Sequence, residues 1–553
     1  MILDAILPHL PLITRLLAWS LIIIPLTHLL LKTLHNLTLH PLSSYPGPLL
    51  SRASPLPHSL RLLSGRLPHT LHALHEKYGP VVRIAPNHLS YTDPRAWRDV
   101  MGHRVGLDGQ QQQGQQQGQQ QGLLHQPENP KSRLYYRESI IDRGGGKDDP
   151  VGEGNITSIL NADREEHGRL RRALASGFSE KAVRAQEVVV RGYVALMAEK
   201  LRSRAERGEK VDMAKWLNWT TFDVIGELVF AESFGCLEEE RGHPFVMMVT
   251  GFVWQMTAFM AMKYLGLHWW KSVRWGVNVV VKRAGKDKLD EMHRLMDEKL
   301  RRRLEVKGER EDLFEGLMKK KDEWNLSTEQ LQSNATLLAA AGSETTASVL
   351  SGAVYLLLRN PEVLARLQRE VRSSCASASD LNLAAVSRMP YLLACINESL
   401  RRFPPAANLP RDVHEGGEVI AGRFVPEKTI VEVPHYAMNH YSQHWRDPFE
   451  FRPERWLNKV DSAAGELRED SNDTDADGDH LEVMQDFNVG PRNCLGRNLA
   501  YAEMRLILAR LVYDFDWELA DESRDWMDKA KAYTVWAKDP LYVYLTPARR
   551  HDY

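Results

Sequence analysis

The sequence predicts a mainly α fold with a small β region, an α+β class, behind an N-terminal transmembrane anchor. Three observations predict it. From Thr328 to Leu358 apolar residues recur at helical spacing through Leu331, Leu337, Leu338, Leu350, Val354 and Leu357. Tyr78 to Pro86 and His88 to Thr92 read as two short strands around a Pro-Asn turn. Residues 5–31 are strongly apolar.

Within that apolar stretch Leu16 to Leu31 is slightly short for a spanning helix unless its flanks contribute, and Arg15 interrupts it. The segment opens on Asp4 and runs into bulky Leu and His, unlike a cleaved signal peptide, so residues 1–35 are expected to be a retained anchor. Lys32 on its C-terminal side places the bulk of the protein in the cytosol. The sequons at Asn36, Asn155 and Asn334 would then never meet the glycosylation machinery. Residues 36–50 form a hinge, in which three prolines and a glycine between His40 and Pro48 stiffen an extended connector.

The remainder, 51–553, is expected to be one catalytic domain, because a length of 553 residues does not demand two. Two low-complexity insertions interrupt it, near 107–155 and 460–481. The first contains a Gln tract with periodic Gly and a Gly- and Asp-rich run; the second is acidic. Net charge is −1, so no global basic surface favours nucleic acid as a partner. Cys236, Cys375, Cys395 and Cys494 are scattered without a Cys-x-x-Cys pair, which suggests neither zinc nor a disulfide framework.

The chemistry gathers at Phe487-Asn-Val-Gly-Pro-Arg-Asn-Cys-Leu-Gly496, just before a helical run from Arg497 to Tyr513. Unpaired N–H groups and the helix dipole at such a place favour thiolate over thiol at Cys494. Gly490 and Gly496 remove Cβ atoms on either side, so the backbone can approach a flat cofactor. Arg492 offers that cofactor's carboxylate a fixed cation. A lone cysteine by itself is more often a buried small hydrophobe.

Ala341-Gly-Ser-Glu-Thr-Thr346 lies in the middle of the long helical pattern, where Gly342 costs about 1 kcal/mol relative to Ala. A Thr hydroxyl there can bond the carbonyl one turn earlier and open a groove. Glu344 and Thr345 offer an acid and a hydroxyl for proton delivery; the same letters can also be a helix cap. Glu398 and Arg401 share a helix face, and Arg455 follows in Phe451-Arg-Pro-Glu-Arg-Trp456. His167 to Arg172 reads alone as a solvated cationic helix face.

The pattern Phe-x-x-Gly-x-Arg-x-Cys-x-Gly resembles the haem-binding loop of the cytochrome P-450 family of haem-thiolate monooxygenases. Together with Gly-Ser-Glu-Thr-Thr, Glu-x-x-Arg and Pro-Glu-Arg-Trp in the family's order, the resemblance extends from about residue 40 to the end. It implies haem b, with Cys494 as the axial thiolate and Phe487, Gly490, Arg492 and Gly496 framing it. His167 and Arg171, with Arg411, would reach the propionates. Glu344 and Thr345 would activate dioxygen, and Glu398, Arg401 and Arg455 would form a buried, fold-defining network. Ala406 to Leu409 and Val535 or Trp536, in a hairpin spanning Tyr533 to Leu545, would line the pocket, roofed by Phe245 to Trp270.

The implied partners are an apolar small molecule, dioxygen, the membrane and a separate NADPH-dependent reductase, which Arg169 or Arg172 would face. The implied location is the endoplasmic reticulum membrane, single-pass, with the catalytic domain facing the cytosol. The overall style is similar to fungal secondary-metabolism members such as trichothecene hydroxylases. Two alternatives stand beside hydroxylation or epoxidation: an oxygen-independent haem-thiolate isomerase or dehydratase, and a non-catalytic membrane haem-binding protein.

Overall fold

The computed structural model describes residues 12–102, 129–132, 158–251, 253–267, 286–306, 310–406, 409–461, 466–467 and 478–548. Asn155, most of the 107–155 insertion and much of the 460–481 insertion lie outside them. Helices dominate, as the apolar periodicity predicts. The first, Leu12–Thr38, turns Ile23, Ile24, Leu26, Leu29, Leu30, Leu31 and Leu34 outward.

The expected extended hinge is instead docked on the domain. Leu42 and Tyr45 belong to a buried apolar cluster, and the Arg83 N–H donates to Pro46 O at 2.7 Å. Arg83 is itself fully buried: its guanidinium donates to Asn36 O and Pro86 O, tying the end of the first helix to the sheet. A charged group this deep requires such acceptors. Asn36 and Asn334 are also buried, with side chains bonded to Ala53 O and Gln330 O, so neither sequon presents a free amide.

The two predicted strands, Val81–Ala85 and His88–Tyr91, pair antiparallel around Pro86-Asn87. The second runs parallel to Ile430–Glu432, which pairs antiparallel with Arg411–Asp412. This four-stranded sheet brings Arg411 to the edge of the candidate site. The expected hairpin over Tyr533 to Leu545 is divided. Lys531–Ala532 pairs with Trp536–Ala537, whereas Tyr542–Pro547 joins Phe515–Leu519 and Lys210–Asp212 in a separate sheet.

The largest apolar cluster surrounds the Thr328–Arg359 helix, which starts at a capping box between Ser327 and Gln330 and packs along Met213–Phe230. Gly342 shows why that contact is close. A Cβ there would lie 2.9 Å from Ile225 Cδ1, so the glycine serves helix packing. The helix runs unbroken through the predicted groove. Among the described residues Pro244–Tyr264 is one apolar run long enough to span a bilayer, but Phe245, Val246, Val253, Thr257 and Ala261 in it are buried in the domain.

Candidate active site

The cysteine loop is built by three local constraints. The Cys494 N–H donates to Phe487 O at 2.7 Å, and the Asn493 N–H to Gly490 O at 3.1 Å. Gly490 has φ +78°, and a Cβ on it would sit 2.0 Å from Met101 O. Only glycine fits. The close approach that requires it is made by the protein's own backbone, and Gly496 differs: its Cβ would meet nothing nearer than Phe178 Cε1 at 3.8 Å. Phe487 packs against Tyr501 with ring centroids 5.2 Å apart and planes tilted by 37°, joining the loop to the Arg497–Asp514 helix.

Cys494 is exposed, yet it lies so deep among protein atoms that burial pushes its thiol up. The Gly496 N–H, Arg171 and Arg497 pull in the opposite direction but do not win. At Cys494 the helix start, which favours a thiolate, is set against desolvation, which favours the neutral thiol. The central helix shows a matching feature. Ala341 is exposed although the helix on both sides is buried. Both residues belong to the site that the sequence predicts.

A cationic corner borders it. Arg411, Arg492, Arg171 and Lys131 all act on His167, whose pKa is lowered to about 3 by burial and then by these charges. Arg492 Nη1 donates to Ala162 O at 3.0 Å, Lys131 Nζ to Leu160 O at 2.8 Å, and Arg411 Nε points to Met101 Sδ at 3.1 Å. Like charges gathered at low dielectric are costly unless anions join them. An exposed cysteine and cations converging on His167 fit an anionic, metal-bearing cofactor. Arg171 donates to Asn493 O at 2.8 Å and to Asn493 Oδ1, bracing the cysteine loop.

Thr345 Oγ1 donates to Ala341 O at 2.7 Å, the back-bond expected of it. Glu344 forms an ion pair with Lys538 and accepts from Asn218 Nδ2 at 2.8 Å and Ser348 Oγ at 3.3 Å.

Glu398, Arg401 and Arg455 meet, all fully buried. Arg401 grips Glu398 with two bonds, at 2.9 and 2.7 Å, and also reaches Asn439 O, Pro448 O and Glu450 O. Arg455 lies 3.4 Å from Glu398 and pairs with Asp479. Burial works to raise the Glu398 carboxyl, but the two arginines hold it below its ordinary value. Asp479, expected to lie in a solvent insertion, is thus a core residue. Sequence reasoning also passed over Lys131, Lys538 and Asn218. None sits in a motif, and each acquires its role from a partner distant in the chain.

A family model described as Cytochrome P450 matches residues 146–545. The chain is 42% identical to cytochrome P450 monooxygenase tpeC of Talaromyces stipitatus, covering 94% of this chain and 93% of the relative. It is 38% identical to cytochrome P450 monooxygenase prhB of Penicillium brasilianum, covering 93% and 95% respectively. It is also 38% identical to a trichothecene C-15 hydroxylase of Fusarium sporotrichioides, covering 94% and 96%. The class is that of haem-thiolate monooxygenases with cysteine-ligated iron. The chain belongs to the cytochrome P450 family. Members act on small molecules with dioxygen and a redox partner.

Proposed function

We propose that Cys494 is the axial ligand of haem b and that the protein inserts one oxygen atom of dioxygen into an apolar small molecule, by hydroxylation or epoxidation. The observation that carries this is the exposed Cys494 sulfur deep inside the protein, beside the cationic corner of Lys131, Arg171, Arg411 and Arg492. Arg411, Arg492 and Lys131 would hold the carboxylates, with neutral His167 among them. The haem, when bound, supplies the oxidative chemistry. Arg171 and the Phe487 carbonyl hold the loop, and Thr345 places a hydroxyl at the exposed turn of the central helix. Glu344, engaged with Lys538, reads as a brace for that turn.

The kinship with fungal monooxygenases supports a role in secondary metabolite biosynthesis, of a terpenoid or polyketide. Electrons would come from NADPH through a separate reductase. The Leu12–Thr38 helix, about 40 Å long, exceeds the roughly 30 Å hydrocarbon layer. Its exposed leucines and isoleucines support a single-pass anchor in the endoplasmic reticulum, with the domain in the cytosol.

The reduced protein with carbon monoxide tests the ligand. A strongly red-shifted Soret band is expected in the wild type and absent from Cys494→Ser. Folded protein without a haem band would overturn the reading. Thr345→Ala is expected to keep that band while diverting electrons from product to peroxide. Indifference to this change during turnover would favour a haem carrier or an oxygen-independent reaction.

A further inference from the structure

The segment that leads into the cysteine loop is held by a carboxylate with no part in the chemistry above. Asp486 immediately precedes Phe487, whose carbonyl accepts the Cys494 N–H. Both Asp486 oxygens face Asn439 Nδ2, at 3.0 and 3.3 Å. Asn439 is fully buried, and its main-chain carbonyl accepts Arg401 Nη1 at 2.8 Å. A continuous path therefore runs from Glu398 through Arg401, Asn439 and Asp486 to the peptide that anchors Cys494. Among the described residues the buried Asn439 Oδ1 meets no donor. Held this way, Asn439 Nδ2 donates to a carboxylate, whereas a carboxyl O–H on that side would face a second donor.

We propose that Asp486, acting through Asn439, is a positioning residue that holds the cysteine loop on the Glu398–Arg401 network and makes cysteine ligation of the haem depend on pH. This rests on Cys494 being the ligand. Burial pushes the Asp486 carboxyl up to about 7, against the Asn439 bond and the Arg401 charge. The other titratable groups around it are Tyr501 on the Arg497–Asp514 helix, raised to about 12 chiefly by burial, and His435 beside Gln485, lowered to about 4 by burial. Both stay neutral near pH 7, so Asp486 is the group that changes. Above about 7 the carboxylate takes the Asn439 N–H and faces Arg401; below it, one acceptor is lost and the loop loosens.

The sign separates this from a general stability effect. Asp486 has its folded pKa raised from 3.8, so its ionisation lowers global stability as pH climbs toward about 7. Better ligation over the same range opposes that trend.

The experiment follows the reduced carbon monoxide spectrum of haem-loaded full chain across neutral pH in wild type, D486N and N439A. In the wild type the red-shifted fraction should fall several-fold from the alkaline to the acid side. D486N should give a flat profile, and N439A a low fraction throughout. D486N removes a buried charge and is expected to fold, so the comparison stands even where N439A does not accumulate. A flat wild-type profile, a D486N profile matching a sloping wild type, or a full red-shifted band in N439A would overturn the proposal. A wild type with no red-shifted band at all would instead overturn Cys494 as ligand.

Discussion

Glu344, in the middle of the central helix, and Lys538, near the C-terminus, form an ion pair whose side chains are only 5% and 8% exposed. Lys538 Nζ also donates to Ser348 Oγ at 2.6 Å. The pair joins the helix to the segment after Trp536, just beyond Val535, which bridges to Ala406. The central helix and the segment after Trp536 are therefore fastened by a charge pair that neither local sequence discloses.

Breaking this pair from one side strands a buried charge. Lys538→Met is expected to cost about 3–5 kcal/mol in denaturant unfolding. The double variant with Glu344→Gln should lose less than the sum of the singles, because the two residues share one interaction.

The same reasoning applies behind the cysteine loop. Asp479→Ala leaves Arg401 and Arg455 with Glu398 as their shared carboxylate, and should cost roughly 3–5 kcal/mol. Because the folded Glu398 pKa is held below its unfolded value of 4.5, its contribution is present above that value. It is lost as pH falls through the lower folded pKa. Acid unfolding monitored by circular dichroism should therefore be less steep in Glu398→Gln.

The two loop glycines should behave differently. Gly490→Ala forces a Cβ against Met101 O at positive φ, and a loss of about 3 kcal/mol or more, or no soluble protein, is expected. Gly496→Ala meets only ordinary contacts. Its melting temperature without haem should match the wild type, so any fall in haem content would report a close approach of the cofactor.

Gly342→Ala trades two small effects. The helix gains about 1 kcal/mol of propensity, while the new Cβ pushes on the mobile end of Ile225. Stability should change by less than about 1 kcal/mol. Adding Ile225→Val should turn the balance into a net gain in thermal melts.

Glu503, on the Arg497–Asp514 helix, is almost fully buried and pushed up to about 8 by burial alone. An acid whose folded pKa lies above its unfolded 4.5 destabilises the fold as pH rises between those values. Glu503→Gln should therefore melt like the wild type near pH 4. It should melt progressively higher than the wild type up to about pH 8, with no further gain beyond.

Part of this architecture is legible in the chain because its causes are local. The periodicity from Thr328 to Leu358 specifies a helix, and the Pro86-Asn87 turn a strand pair, since both depend on neighbours a few residues away. The cysteine loop is read equally directly: a bond from Cys494 to Phe487 O and a positive φ at Gly490 lie within ten residues. A hydrophobic pattern defines a buried face without defining what covers it.

What only the tertiary structure decided is the pairing of charges and the state that pairing imposes. Lys538 reaches Glu344 across 194 positions, and Asp479 reaches Arg455 out of an acidic stretch. Lys131 comes from beside a Gln tract to join Arg411 and Arg492 around His167. Leu42 and Tyr45 of the hinge are buried against residues far along the chain such as Val431 and Trp445. Desolvation, which only a folded interior creates, opposes the thiolate at Cys494, and the fold brings Lys538 against Glu344.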